Sequence, residues 1–74
     1  MIYKNYYAEG IPERIQQRLY DLGWTITQLA DEMGISYPCA RNYVHGCSNM
    51  NLPTFIHLCE VLDVSPNWMI YGEE

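Results

Sequence analysis

Two helix-patterned stretches of this chain are separated only by Gly34, Ile35 and Ser36. A joint that short makes the second helix cross the first steeply and at close range. The neighbouring residues meet what such a crossing demands. Ala30 is small where the second helix passes over the first, and Gly34 can take the left-handed conformation that the turn requires and that a side chain resists. Leu29, Met33, Ile35, Ala40 and Tyr43 are apolar where the pair must be fastened to a further helix.

The punctuation around this pair is equally specific. Thr25 and Gln28 form a capping-box pattern, in which each side chain reaches the other's backbone N–H, and Trp24 and Leu29 flank it as a hydrophobic staple. The helix so started buries Ile26, Leu29, Ala30 and Met33 and stops at Gly34. Ser36 caps the next helix, Pro38 is tolerated in its first turn, Ala40, Tyr43 and Val44 face inward, and Gly46 ends it.

The same reading predicts three more helices. The first starts near Pro12, carries the stripe Ile15, Leu19, Leu22 and ends at Gly23; Arg14 and Arg18 lie one turn apart on another face. After a polar loop, Cys47 to Asn51, the fourth opens at Leu52-Pro53 and buries Phe55, Leu58, Cys59 and Leu62. The fifth is capped by Ser65, begins at Pro66 and turns Trp68 and Met69 inward. No alternating β-branched run suggests a strand, so the fold class is all-α with five helices.

At 74 residues the chain makes one domain. A domain of that size buries roughly 60% of its unfolded surface and has little room for an enclosed active site. An enzyme is not expected, nor a catalytic residue or a cofactor. The apolar runs are too short to span a membrane, and Met1 to Tyr7 lacks the apolar region and cleavage signature of a secretory signal. Cys39, Cys47 and Cys59 show no framework spacing and read as free thiols. The expected location is therefore the cytoplasm. His45-x-Cys47 and His57-x-Cys59 do not have structural-zinc spacing, so no metal site is expected; Cys59 reads as a small buried hydrophobe. Residues 1–10 are read as an N-terminal arm, either flexible or covering the core, and residues 11–74 as the folded domain.

Charge argues both ways. Four basic residues stand against nine acidic ones, a net charge of −5. Yet Ser36 to Cys59 holds no acid, while Arg41, His45 and His57 lie there. An acid-free middle in an acidic chain suits a phosphate-facing surface. It is also what chance and a polar loop would give.

The run Thr25 to Gly46, TITQLADEMGISYPCARNYVHG, resembles the Cro/repressor-type, or Xre-like, helix-turn-helix family. Pro53, Phe55, Leu58, Cys59, Leu62, Val64, Ser65 and the tail Trp68 to Gly72 extend the resemblance over about residues 12 to 72. Ile26, Val44 and Pro38 depart from it: the family often has a glutamine, a glutamate and a hydrogen-bonding residue there. The resemblance implies a five-helix, lambda-repressor-like DNA-binding domain. Its third helix would enter the major groove of double-stranded operator DNA, usually as a homodimer on a palindrome.

On that helix Tyr37, Pro38, Arg41 and Asn42 point away from Ala40 and Tyr43. Arg41 suits guanine O6 and N7, Asn42 suits adenine N6 and N7, and Tyr37 and Pro38 suit a thymine methyl or a sugar edge. Thr27, Gln28 and the cap Ser36 offer donors to a phosphate, as do His45, Ser48 and Asn49 after the helix. The function expected is a sequence-specific transcriptional regulator, a repressor of phage or mobile-element type. The alternative is a protein-binding helix-turn-helix module, an antitoxin or adaptor, which the net charge favours.

Overall fold

The computed structural model describes the backbone of residues 3–47 and 49–72, and the side chains of residues 10–47 and 49–72. The described residues form five helices and no strand: α1 (Tyr3–Leu22), α2 (Ile26–Met33), α3 (Tyr37–Val44), α4 (Leu52–Leu62) and α5 (Pro66–Tyr71). α2 packs on α3 and α4, and α1 packs on α3 and α5. Ile15, Leu19, Leu29, Ala30, Met33, Ala40, Val44, Phe55, Leu58, Cys59, Leu62 and Met69 make the one buried cluster. Leu22, Ile26, Tyr43 and Trp68, expected inside, are only partly buried. A core this small has room for the centre of each apolar stripe and leaves its margins half exposed.

α1 differs most from expectation. It begins at Tyr3, so Pro12 lies in its interior and not in its first turn. Proline removes one backbone hydrogen bond and crowds the carbonyl four residues back, a cost of about 3 kcal/mol that α1 bears although the proline φ is itself helical. Pro12 also has a partner across the fold. A Cβ added to Gly46, whose φ is +74°, would stand 2.8 Å from the Pro12 Cγ. The proline ring thus lies against the exit of α3, at a place where only glycine fits. The tyrosine side chains of the segment Met1 to Tyr7 lie outside the described residues.

α1 to α4 end in the same way. A residue with positive φ donates to the carbonyl three back, and the next residue donates to the carbonyl five back. The pairs are Gly23 to Tyr20 and Trp24 to Leu19; Gly34 to Asp31 and Ile35 to Ala30; Gly46 to Tyr43 and Cys47 to Asn42; Asp63 to Glu60 and Val64 to Cys59. Three of these ends use glycine for the left-handed residue; α4 uses Asp63, at φ 58°.

The last carbonyls of a helix have no partner within it. Here long-range side chains supply one to each helix after the first. On α1, Gln16 Nε2 donates to the Val44 carbonyl of α3 (2.9 Å), and Arg18 Nε to the Leu62 carbonyl of α4 (2.7 Å). Arg14 Nη1, also on α1, donates to the Met69 and Ile70 carbonyls of α5 (3.0 and 3.1 Å). His57 Nε2 on α4 lies 3.3 Å from the Met33 carbonyl that ends α2, and donates when that nitrogen carries the proton.

Candidate nucleic-acid interface

The start of α2 is held by a complete capping box. The Gln28 backbone N–H donates to Thr25 Oγ1 at 3.2 Å, and the Thr25 N–H donates to Gln28 Oε1 at 2.9 Å. Gln28, expected to offer donors to a phosphate, therefore has its carbonyl committed to the cap; its amide NH2 stays on the exposed side. Thr27 is exposed beside it.

Gly34, at φ 73°, then turns the chain within three residues into α3. An added Cβ there would meet nothing within 4 Å, so the requirement for glycine is one of backbone conformation and not of space. Ala30 and Ala40 are buried on facing helices, as the close crossing demands. Ser36 Oγ accepts from the Cys39 N–H at 3.3 Å and so fixes the first turn of α3. Each cap of this kind is worth about 1 kcal/mol.

With Ala40 and Val44 inward, α3 presents Tyr37, Pro38 and Arg41 to solvent, while Asn42 is half-buried. Ser36 before the helix is exposed, and so are His45 and Asn49 after it; Ser48 lies outside the described residues. The expected contact residues of α2 and α3 are thus exposed, apart from Asn42. Asn42 is the most enclosed, and its backbone carbonyl is used by the Cys47 N–H at 2.8 Å.

Cys39 lies half-buried one turn before Tyr43; hydrogen bonding toward Cys39, then burial, then the charge of Cys39 push the Tyr43 phenol above its ordinary range. The pair sits at the edge of α3 between the exposed face and the core.

The electrostatic picture is sparse. Arg14 and Arg18 are turned to helix ends in the fold. Arg41 is exposed and has no partner among the described residues. Among the described residues the exposed acids are Glu13 and Asp21 on α1, Asp31 and Glu32 on the second half of α2, and Glu60 and Asp63 at the far end of α4. Two of the three arginines are thus committed within the fold. Their spacing of one turn was visible, but the carbonyls they meet are 44 to 56 residues away along the chain. By sequence Asn51 belongs only to the polar loop. It caps α4, its Oδ1 accepting from the Thr54 N–H at 2.9 Å.

Among the described residues no three His, Cys, Asp or Glu side chains gather as a metal-ligand set, and no helix is long and apolar enough to cross a membrane. A family model described as the Cro/C1-type HTH DNA-binding domain matches residues 14–67, from Arg14 on α1 to Asn67 on α5. No curated protein and no solved structure matches the chain.

Proposed function

Because this chain belongs to the Cro/C1-type HTH DNA-binding domain family, we propose that it is a sequence-specific transcriptional regulator that reads the major groove with α3. In this reading it is a cytoplasmic repressor of phage or mobile-element type, and it acts as a homodimer on a two-fold operator. The observation that carries the proposal is the exposed face of α3: an unpaired Arg41 beside Tyr37 and Pro38, on a helix fixed at both ends by hydrogen bonds. Arg41 takes guanine and Asn42 takes adenine, each pair giving about 1–3 kcal/mol of discrimination. Thr27, Gln28, Ser36, His45 and Asn49 contact phosphates on either side. One free arginine gives a single copy few ionic contacts, which favours two copies acting together. Residues 1–10, which from Tyr3 onward are the opening turns of α1, serve as an arm ahead of the domain of residues 11–74.

Selection from random duplex DNA tests this. A palindrome with half-site centres about 10–10.5 base pairs apart is the expected product. Arg41→Ala with Asn42→Ala should abolish the enrichment while leaving the circular dichroism of a folded helical protein. A second reading has its own support, since the net charge is −5 and two of the three arginines are used internally. If the folded protein enriches no DNA, the protein-binding module, an antitoxin or adaptor, takes its place.

A further inference from the structure

The first turn of α3 offers a base the Tyr37 hydroxyl as its one exposed side-chain hydrogen-bonding group and is otherwise exposed ring carbon. Pro38 is exposed and has no N–H. Tyr37 is 48% exposed. The hydroxyl oxygen of Ser36 is turned to the Cys39 N–H, and Cys39 is half-buried against Tyr43. Two rings therefore form the leading edge of the helix, and the next turn carries the exposed Arg41.

We propose that this edge recognises the C5-methyl group of a pyrimidine, close to the guanine that Arg41 takes. The inference rests on the DNA-reading assignment above and names the base chemistry selected. The C5-methyl is the apolar feature of the major-groove edge, and guanine O6 and N7 are the bidentate target for arginine. Arg41 follows Pro38 by three residues and Tyr37 by four, so the three side chains are neighbours on the helix surface. Along the axis that separation is roughly 4.5–6 Å. It corresponds to one or two base steps of about 3.4 Å. The half-site thus holds a methylated pyrimidine within two base pairs of a guanine. Thymine and 5-methylcytosine carry the same methyl.

The test is a set of parallel selections with the full chain against three random duplex libraries. One is ordinary DNA, one has deoxyuridine for thymidine, and one has deoxyuridine for thymidine together with 5-methylcytosine for cytosine. Ordinary DNA should enrich a site with thymine near guanine. The best uracil ligands should bind about fourfold more weakly for each methyl lost, the ratio that burying one such group gives. Recovery in the third library, with methylcytosine near guanine, shows that either source of the methyl serves; no recovery restricts the reader to thymine. Tyr37→Ala with Pro38→Ala, checked for helicity, should bring the thymine-to-uracil ratio close to one. Equal affinity for ordinary and uracil DNA in the native protein would overturn the methyl reading while leaving DNA recognition intact. No enrichment from any library would overturn DNA recognition itself, and the inference with it.

Discussion

Arg18 on α1 donates its Nε–H to the carbonyl of Leu62, the last residue of α4, at 2.7 Å. The bond joins a cation to the negative end of a helix, where the unpaired carbonyls and the dipole both favour positive charge. Arg14 does the same for α5. In an acidic chain two of the scarce positive charges therefore hold helices in place.

Replacing Arg18 with Met keeps most of the aliphatic stem and removes the donor. Stability should fall by about 1–2 kcal/mol, at the lower end for a hydrogen bond to a charged group because Arg18 is only half-buried. Urea unfolding reads the change. The affinity of the folded fraction for DNA should stay the same, whereas Arg41→Ala should weaken DNA binding and leave the urea midpoint in place. A loss of DNA affinity in Arg18→Met without a loss of stability would contradict the assignment.

Asp63 occupies the left-handed position that glycine fills at the ends of α1, α2 and α3. It places a side chain where the backbone disfavours one, and a negative charge at the negative end of a helix. Asp63→Gly should raise stability by about 1 kcal/mol, and Asp63→Asn by less, since Asn relieves only the charge. Thermal unfolding of the two variants beside the native chain checks the order. A destabilised glycine variant would mean that the aspartate has a compensating role.

Stability should decline in alkaline solution. Burial, with a smaller effect of Glu60, raises the Cys59 thiol above its ordinary value of 9.0. The Tyr43 phenol is raised above 10.0 by hydrogen bonding toward Cys39 and by burial. The unfolded chain then loses these protons at a lower pH than the native protein, so it binds fewer protons in that range and stability falls as pH rises. The contribution is complete below pH 9 and is lost as the pH climbs through the raised values. The urea midpoint measured from pH 8 upward should drop, less steeply in Cys59→Ala once its baseline loss is subtracted. A flat midpoint in the native protein across that range would refute the prediction.

Salt dependence follows from where the arginines are. With Arg41 as the exposed arginine among the described residues, few counterions leave on binding. The logarithm of the binding constant should fall with the logarithm of salt concentration with a slope of only about −1 to −3 for each copy. Titrations at several salt concentrations give the slope directly. A value near −10 would show that phosphate contacts dominate, and that the sparse basic surface had been misjudged.

The sequence made the helix-turn-helix legible because its signals are local. Thr25, Gln28, Gly34, Ser36 and Ser65 each act on backbone within a few residues, and each stands where a cap or turn was expected. The α4 stripe Phe55, Leu58, Cys59 and Leu62 was equally plain, since helical period alone sets it. The start of α1 was not legible: proline fits both a first turn and a helix passing through, and its packing against Gly46 depends on a residue far along the chain. The committed arginines were hidden for the same reason. For the interface, the exposed positions of α3 followed from phase. The partial burial of Asn42 and the commitment of the Gln28 carbonyl needed coordinates.

The ties from α1 have a consequence for how the chain acquires its shape. Gln16, Arg18 and Arg14 reach carbonyls 28, 44 and 55 residues ahead. The last of these bonds can form only when the C-terminal helix is in place. A chain truncated before α5 would keep the whole recognition unit, residues 25–46, and still lack the carbonyls that hold Arg14. Hydrogen exchange in α5 should accordingly depend on the Arg14 bonds, while residues 25–46, which carry Leu29, Ala30, Met33, Ala40 and Val44 of the core, stay better protected.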